Sequence, residues 1–221
     1  MIIPTLNEAD TVGRTLARVR QAGGCQLVAV DGGSDDGTPE IARGYADVVL
    51  SAPRGRARQM NVGAQAAAGE VLVFLHADTL LPHGFPEILA RALLDPQVVG
   101  GRFDVRLGAP GWSFRVIETF MNMRSRLTRI ATGDQAIFVR RQIFLAAGGY
   151  PEVDLMEDVE LSRKLKRLGK IACLRARVVT SARRWQRDGV LRTVALMWAL
   201  RLAHSLGVPP ERLRAFYTDT R

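Results

Sequence analysis

Short apolar runs alternating with helical patterns over the first hundred residues constrain this chain more than any other feature. Gln26–Val30, Asp47–Leu50 and Val71–Leu75 have strand length, and the last is apolar without alternation, as in a strand buried on both faces. Ile2-Ile3 forms a stub of an earlier strand. Between these runs, a helix from about Glu8 to Arg20 gathers Val12, Leu16 and Val19 on one face, a second opens at Thr38-Pro39, and a third spans Arg56–Ala68. Asn7 is the expected N-cap of the first helix, with Asp10 favourable to its dipole. Repeated β-α units of this kind imply an α/β fold, a parallel sheet with right-handed crossovers and helices on both faces.

Beyond residue 100 the rhythm changes. Val98–Leu107 reads as a longer strand, and Gln135–Val139, Ile171–Leu174 and Val178–Thr180 as short ones. Glu157–Leu168 reads as a helix, and Pro209-Pro210 opens a last short one. Trp112–Ile130 is a helix with Trp112, Val116, Ile117, Phe120, Met121 and Leu127 apolar and Arg115, Arg124, Arg126 and Arg129 basic. Val190–Leu206 is an apolar helix carrying Arg192 and Arg201. Apolar stripes at helical spacing ordinarily bury against the core, while the same arginines also suit a helix lying on an anionic membrane. No repeat or linker interrupts the 221 residues, so one domain over 1–221 is expected.

Cys25 and Cys173 are too few for a disulfide scaffold and are not spaced as zinc ligands, which points to free thiols in a reducing, cytoplasmic setting. Met1-Ile-Ile-Pro4 leads into a turn without the pattern of a signal peptide, and no apolar run reaches the roughly 20 residues needed to cross a bilayer. The expectation is a soluble or peripheral chain, at most held at the inner face of a membrane. The formal net charge of +9 is unevenly spread. Residues 1–110 hold 10 arginines against 12 acids, a net of −2, and residues 111–221 hold 21 cations against 10 acids, a net of +11. Such a second half is either a solvated basic face or a surface for phosphates, anionic lipid headgroups or nucleic acid.

Against that field stand three acidic groups: Asp31–Asp36, His76-Ala-Asp78 and Glu157-Asp158, each just past a predicted strand or at the start of a predicted helix. Ligands of open α/β sheets bind at the carboxyl ends of strands. Carboxylates gathered there can hold a metal, a ribose or an attacking hydroxyl, so an enzyme acting on a phosphorylated substrate is the leading reading. Ser34, Asp35 and Asp36 are also ordinary turn formers and caps, and Glu157, Asp158 and Glu160 ordinary first-turn acids. A basic nucleic-acid-binding module is the weaker alternative; it leaves Asp78 and Glu157-Asp158 without work, and no nucleic-acid partner is expected. A nucleotidyltransferase acting on a sugar phosphate needs a cation-bearing loop after its first strand, where this chain has Pro4-Thr-Leu-Asn-Glu8.

Pro4-Thr-Leu-Asn-Glu8, Val30-Asp-Gly-Gly-Ser-Asp-Asp-Gly-Thr38, Asp78 and Glu157-Asp158, in that order, resemble the motifs of the family-2 inverting glycosyltransferases. The resemblance spans nearly the whole chain and implies the GT-A fold, with a mostly parallel central sheet and helices on both faces. The blocks Gly55-Arg-Ala-Arg-Gln-Met-Asn61, Leu75-His-Ala-Asp-Thr79, Gly133-Asp-Gln135, Met156-Glu-Asp-Val-Glu-Leu161 and Ser181-Ala-Arg-Arg-Trp185 are similar to those of a small bacterial subfamily, of the arsenosugar-biosynthesis or radical-SAM-associated type. The resemblance implies a donor-binding half over 1–110 and an acceptor-binding half with C-terminal helices over 111–221. It implies transfer of a hexosyl-type sugar from a UDP- or GDP-sugar to an acceptor hydroxyl, with inversion.

By the same resemblance Thr5, Glu8 and Asp31 line the nucleobase pocket, and Arg56 and Asn61 approach the nucleotide from a helix start. Asp78 matches the second acid of a DXD motif and holds Mg²⁺ or Mn²⁺ against the donor diphosphate. Asp158 is the general base, with Glu157 orienting the acceptor or the base. Arg184 pairs with the diphosphate and Trp185 stacks on the acceptor. Asp134 contacts acceptor or donor sugar, or is simply a turn aspartate. Two positions depart from the pattern. His76 stands where the first DXD acid is usual, and can contact ribose, phosphate or metal or be structural, and Gly32 replaces the second acid of a double-Asp turn.

Overall fold

The structure is a computed structural model that describes residues 1–153, 155–214 and 216. Its strands are β1 (Ile2–Thr5), β2 (Val28–Asp31), β3 (Val48–Ser51), β4 (Val71–Phe74), β5 (Thr79–Leu80), β6 (Val98–Leu107), β7 (Ile137–Arg140) and β8 (Lys170–Thr180). They make one sheet in the order β3-β2-β1-β4-β7-β6-β8-β5. Pairings β1–β2, β2–β3, β1–β4 and β6–β8 are parallel, whereas β7 lies antiparallel between β4 and β6, and β5 antiparallel on β8. The chain proceeds outward from β1 to β3 and then crosses back to β4 on the other side of β1. That reversal opens a crevice at the carboxyl ends of β1 and β4, where such sheets take their ligands.

The helices are α1 (Ala9–Ala22), α2 (Thr38–Arg43), α3 (Arg56–Ala66), α4 (Phe85–Ala92), α5 (Trp112–Thr128), α6 (Arg141–Ala146), α7 (Glu157–Leu168), α8 (Arg183–Asp188), α9 (Val190–Ser205) and α10 (Pro210–Arg214). Strand alternation divides the core between the two sheet faces. Ile3, Val73 and Leu75 meet Val12, Leu16 and Val19 of α1 and Phe85 and Leu89 of α4. Ile2, Leu72 and Phe74 turn the other way, toward Ala57, Met60 and Ala64 of α3, Phe144 of α6 and Leu161 and Leu165 of α7. Each fully buried aliphatic or aromatic chain of this kind stabilises by about 1.5–3 kcal/mol.

Several sequence expectations change. Asn7 does not cap α1: Glu8 takes that position, and Asn7 lies at φ +50°. From there its N–H donates to Ser34 Oγ at 2.9 Å and its Oδ1 accepts from Asp35 N at 3.1 Å, so it fastens the Asp31–Thr38 loop instead. The two short strands expected over 171–180 are one continuous β8, which absorbs a register shift against β6 at Phe103/Asp104. A bulge of this kind interrupts alternation, which is why the pattern looked broken in sequence. Gln135 closes a 3₁₀ turn over Gly133–Gln135 rather than opening β7. The sheet itself is mostly parallel, as expected, with β7 and β5 its antiparallel members.

Gly101 allows the close approach of β6 to its neighbours. A Cβ there would meet the Ala172 carbonyl oxygen of β8 and the ring of Phe138 on β7. Gly101→Ala is expected to destabilise the fold by about 1–3 kcal/mol and lower Tm by roughly 3–10 °C. An unchanged Tm in calorimetry would contradict this strand spacing.

Candidate active site

β1 and β2 end side by side, with Thr5 opposite Asp31. Both side chains are buried and engaged. Asp31 accepts hydrogen bonds from Gly33 N at 2.9 Å, Ser34 N at 2.8 Å, Ser34 Oγ at 2.5 Å and Thr5 Oγ1 at 3.2 Å. The carboxylate therefore folds the glycine loop around itself, as an Asx turn does. Beneath the loop lies Gln59, buried on the inner face of α3, whose Nε2 donates to Thr5 O at 2.7 Å and Val30 O at 2.8 Å. Gln59 reaches within 3.0 Å of where a Cβ on Gly32 would stand, so glycine at that position leaves room for this brace. In sequence, Gln59 is marked only as a polar residue on the otherwise Ala/Met/Gly face of the helix.

Asn61 is held away from the crevice. Its Nδ2 donates to Tyr150 O at 2.9 Å, and its Oδ1 accepts from Tyr150 N at 2.9 Å. Both halves of the amide thus fasten the loop after α6, tucked beneath Gly149 at φ +67°.

The crevice itself is a small polar pocket where Glu8, Arg56, His76, Asp78, Arg183 and Arg184 converge. Glu8 is 4% exposed and accepts from Thr11 Oγ1 and from Arg183 Nη2, both at 2.8 Å. The same Arg183 nitrogen stands 3.5 Å from Asp78 Oδ2. Burial pushes the Asp78 carboxyl above its ordinary range, Glu8's charge adds to the shift, and Arg183 and Arg56 oppose it. Arg183 was not singled out in sequence, where Arg184 was. Adjacent positions on a helix point about 100° apart, and only the phase of α8 shows that Arg183 bridges the two acids.

His76 connects this pocket to a second group of acids. Its Nε2 edge packs against Gly133, where a Cβ could not be accommodated. Gly133 N donates to Asp158 Oδ2 at 2.8 Å, and Val159 N donates to Asp158 Oδ1 at 2.7 Å. Asp158 and the buried Glu157 open α7, whose N-terminal N–H groups favour negative charge. Tyr150 is raised well above the ordinary phenol range, by burial first and then by the charges of Asp158 and Glu157. Asp134, one residue past Gly133, is also raised, by burial first and with Asp158 adding, while Arg201 and Arg124 oppose. Burial, with the Arg201 charge, lowers the Arg124 guanidinium to about 10. Trp185 is half-buried in an apolar cluster with Leu107, Ile117 and Ala182 rather than standing open for stacking.

Among the described residues, three of the four non-glycine positions with positive φ, Asn7, Ala136 and Met156, sit in the loops that carry Glu8, Gly133–Gln135 and Glu157-Asp158. Such strain concentrates where a surrounding scaffold holds functional groups in place.

The family model for glycosyl transferase family 2 matches residues 1–146. The chain belongs to that family. The matched span includes Glu8, His76, Asp78 and Asp134 but ends before Glu157, Asp158 and Arg183. Glycosyltransferase AglE of Haloferax volcanii is 25% identical over 170 residues, 68% of this chain and 55% of AglE. Among solved structures, S. aureus TarS 1–349 superposes with TM-score 0.65 at 19% identity, covering 89% of this chain and 64% of that one. The mannosyltransferase PcManGT of Pyrobaculum calidifontis, in complex with GDP-Man and Mn²⁺, gives TM-score 0.65 at 22% identity, with 90% and 63% covered. TarS was also solved with UDP-GlcNAc. The chain spans just over half to just under two thirds of these relatives' lengths. The fold is GT-A, as the motif resemblance implied.

Among the described residues no group of three or more His, Cys, Asp or Glu side chains forms a ready metal cage. What the family 2 pocket offers instead is two carboxylates, Glu8 and Asp78, already sharing one cationic nitrogen. Mg²⁺ and Mn²⁺ sites on nucleotide substrates commonly use one or two carboxylates, with phosphates and waters completing the shell. The residues present fit a cation of that kind.

Proposed function

We propose that this family 2 chain transfers a sugar from a nucleoside diphosphate sugar to an acceptor hydroxyl by a single displacement with inversion, using Asp158 as general base. The observation that carries this reading is that His76 lines one pocket with Asp78 and packs against Gly133, whose N–H donates to Asp158. A diphosphate-binding pocket and a carboxylate braced by two backbone N–H groups thus border one another. The UDP-GlcNAc and GDP-Man complexes of the two neighbours support the donor class.

In this reading Asp158 takes the proton from the acceptor hydroxyl as its oxygen bonds to the anomeric carbon. The anomeric C–O bond to the diphosphate breaks on the opposite side, and the nucleoside diphosphate departs without a covalent enzyme intermediate. Asp78, with Glu8, would hold the divalent cation. When bound, that cation supplies Lewis-acid stabilisation of the departing diphosphate. Arg56, Arg183 and Arg184 place guanidinium groups beside the same phosphates. Glu157, buried next to Asp158 and Tyr150, orients the base.

A thermal-shift panel of UDP-, GDP- and other nucleotide sugars, with Mn²⁺ and with chelator, tests this reading. One base is expected to raise Tm by roughly 5–10 °C at about 100 times its Kd, and chelator to remove most of that gain. A shift of equal size in chelator would remove the cation from the proposal, and no shift with any nucleotide sugar would sink the donor class.

A further inference from the structure

Helix α5 is built inside out. Beside Ile117, its inward face is largely polar and bonds to the backbone of β6. Asn122 Oδ1 accepts from Val105 N at 2.8 Å while its Nδ2 donates to Val105 O at 2.9 Å, and Glu118 accepts from Leu107 N. Arg115 Nη2 donates to Leu107 O at 2.8 Å, and Arg126 grips Asp104 with Nη2 at 2.8 Å from both carboxylate oxygens. Asp104 also holds the fully buried Arg102. With Arg115, Glu118, Asn122 and Arg126 engaged inward, the helix turns Trp112, Val116, Phe120, Met123 and Leu127 to solvent, with Trp112 80% and Leu127 77% exposed. These positions fall on one stripe, running about 25 Å along the helix.

Helix α9 shares the exposed apolar face but not the polar inward one: its Leu196, Met197 and Leu200 pack inward with Leu155, Met156 and Val159. Val190 and Val194 join the cluster that also holds Ile117 and Met121 of α5, so the two helices share an apolar contact. Outward, α9 exposes Leu191, Trp198, Leu202 and Leu206. Neither outward face carries a carboxylate: Glu118, the one acid of α5, is buried, and α9 has none. Apolar surface of this extent, organised in stripes, marks a contact with an apolar phase.

We propose that α5 and α9 together form a docking face for an anionic lipid bilayer. Cations frame the stripes: Arg106 lines a shallow hollow with Trp112, Arg129 follows the end of α5, and Arg192 adjoins Leu191. The half of the chain bearing both helices has a net charge of +11. A second copy on a two-fold axis would bring these arginines against one another, whereas anionic headgroups complement them. Apolar side chains enter the acyl boundary while arginines stay at headgroup level, and no helix is long and apolar enough among the described residues to cross the membrane. The inference is independent of the sugar-transfer chemistry.

Co-sedimentation of the whole chain with phosphatidylcholine vesicles, with and without about 30 mol % phosphatidylglycerol, tests it. The chain is expected to partition at least ~10-fold more strongly onto the anionic vesicles at about 0.05 M salt, and much less at about 0.5 M. Phe120→Ser with Leu127→Ser, and separately Trp198→Ser with Leu202→Ser, should each lower partitioning by about 10-fold or more. Leu94→Ser, at a residue 80% exposed but outside both helices, should not change it. Circular dichroism shows that each variant is folded. No binding at low salt, or binding indifferent to both double variants, overturns the proposal. So does a wild-type dimer that both double variants dissociate, which would make a second copy the occupant. The Asp158→Asn variant should sediment like wild type, which separates this result from any failure of the catalytic reading.

Discussion

Asp158→Asn is expected to lower kcat for sugar transfer by about 10²–10⁴-fold, the usual contribution of a positioned general base, with nucleoside diphosphate affinity within about twofold of wild type. The asparagine is nearly isosteric, and its side-chain oxygen can still accept the Gly133 N–H bond now 2.8 Å long. The turn that touches His76 is therefore preserved, and what is removed is the ability to take a proton, together with the bond from Val159 N to the other carboxylate oxygen. Single-turnover kinetics with isothermal titration of the nucleotide separates the two. A large loss of nucleotide affinity would mean that the carboxylate serves the donor, and full activity would mean that another group is the base. Tyr150, whose hydroxyl is held protonated beside Asp158, is unsuited to that role at neutral pH.

Asp78→Asn is expected to weaken Mn²⁺-dependent nucleotide-sugar binding by about 10²-fold, since one charged ligand of a site with few protein ligands is lost. The same substitution should raise the Tm of the ligand-free protein at neutral pH. Burial lifts the Asp78 carboxyl above its ordinary range, so the folded chain binds more protons than the unfolded chain as the carboxyl titrates. Stability then falls as pH rises through that interval, and the cost persists at pH 7. Asparagine removes it, and the gain should vanish as pH drops below the ordinary carboxylate range, where aspartate is protonated in both states. The 3.5 Å ion pair to Arg183 is a small loss, because that guanidinium is half exposed and keeps Glu8. Unchanged cation-dependent binding would exclude Asp78 as a ligand; a lowered Tm would mean that Arg183 depends on it. Opposite signs on binding and stability would mark Asp78 as kept for function.

The parallel half of the sheet was legible because each strand is a short apolar run and each helix carries a 3.6-residue stripe. Those periods report burial directly. β6 and α7 were legible to the residue, one as a longer, partly alternating strand and the other as a helix with an acidic first turn. The antiparallel insertion of β7 was not legible, since pairing direction is decided by distant partners and leaves no trace in the alternation of a four-residue strand. The candidate site divides in the same way. Asp78 and Asp158 stood out by type and by place, at a strand end and a helix start. Arg183, Gln59 and the engagement of Asn61 with Tyr150 depend on which neighbour each side chain meets across 54 to 175 positions of chain.

Helices α5 and α9 show the limit most plainly. The sequence alone establishes both helices and, for α5, the sorting of apolar from basic positions; α9, expected to be amphipathic, is instead apolar on its inward and outward sides. The sequence also determined the family, through motifs whose order survives without coordinates. Which face of α5 turns inward was decided only by the tertiary structure. β6 presents backbone groups at Val105 and Leu107 together with a buried Arg102–Asp104 pair, all of which need polar partners. Satisfying them with Glu118, Asn122 and Arg126 outweighs burying Phe120 and Leu127, because a buried polar group without a partner costs more than an apolar one left in water.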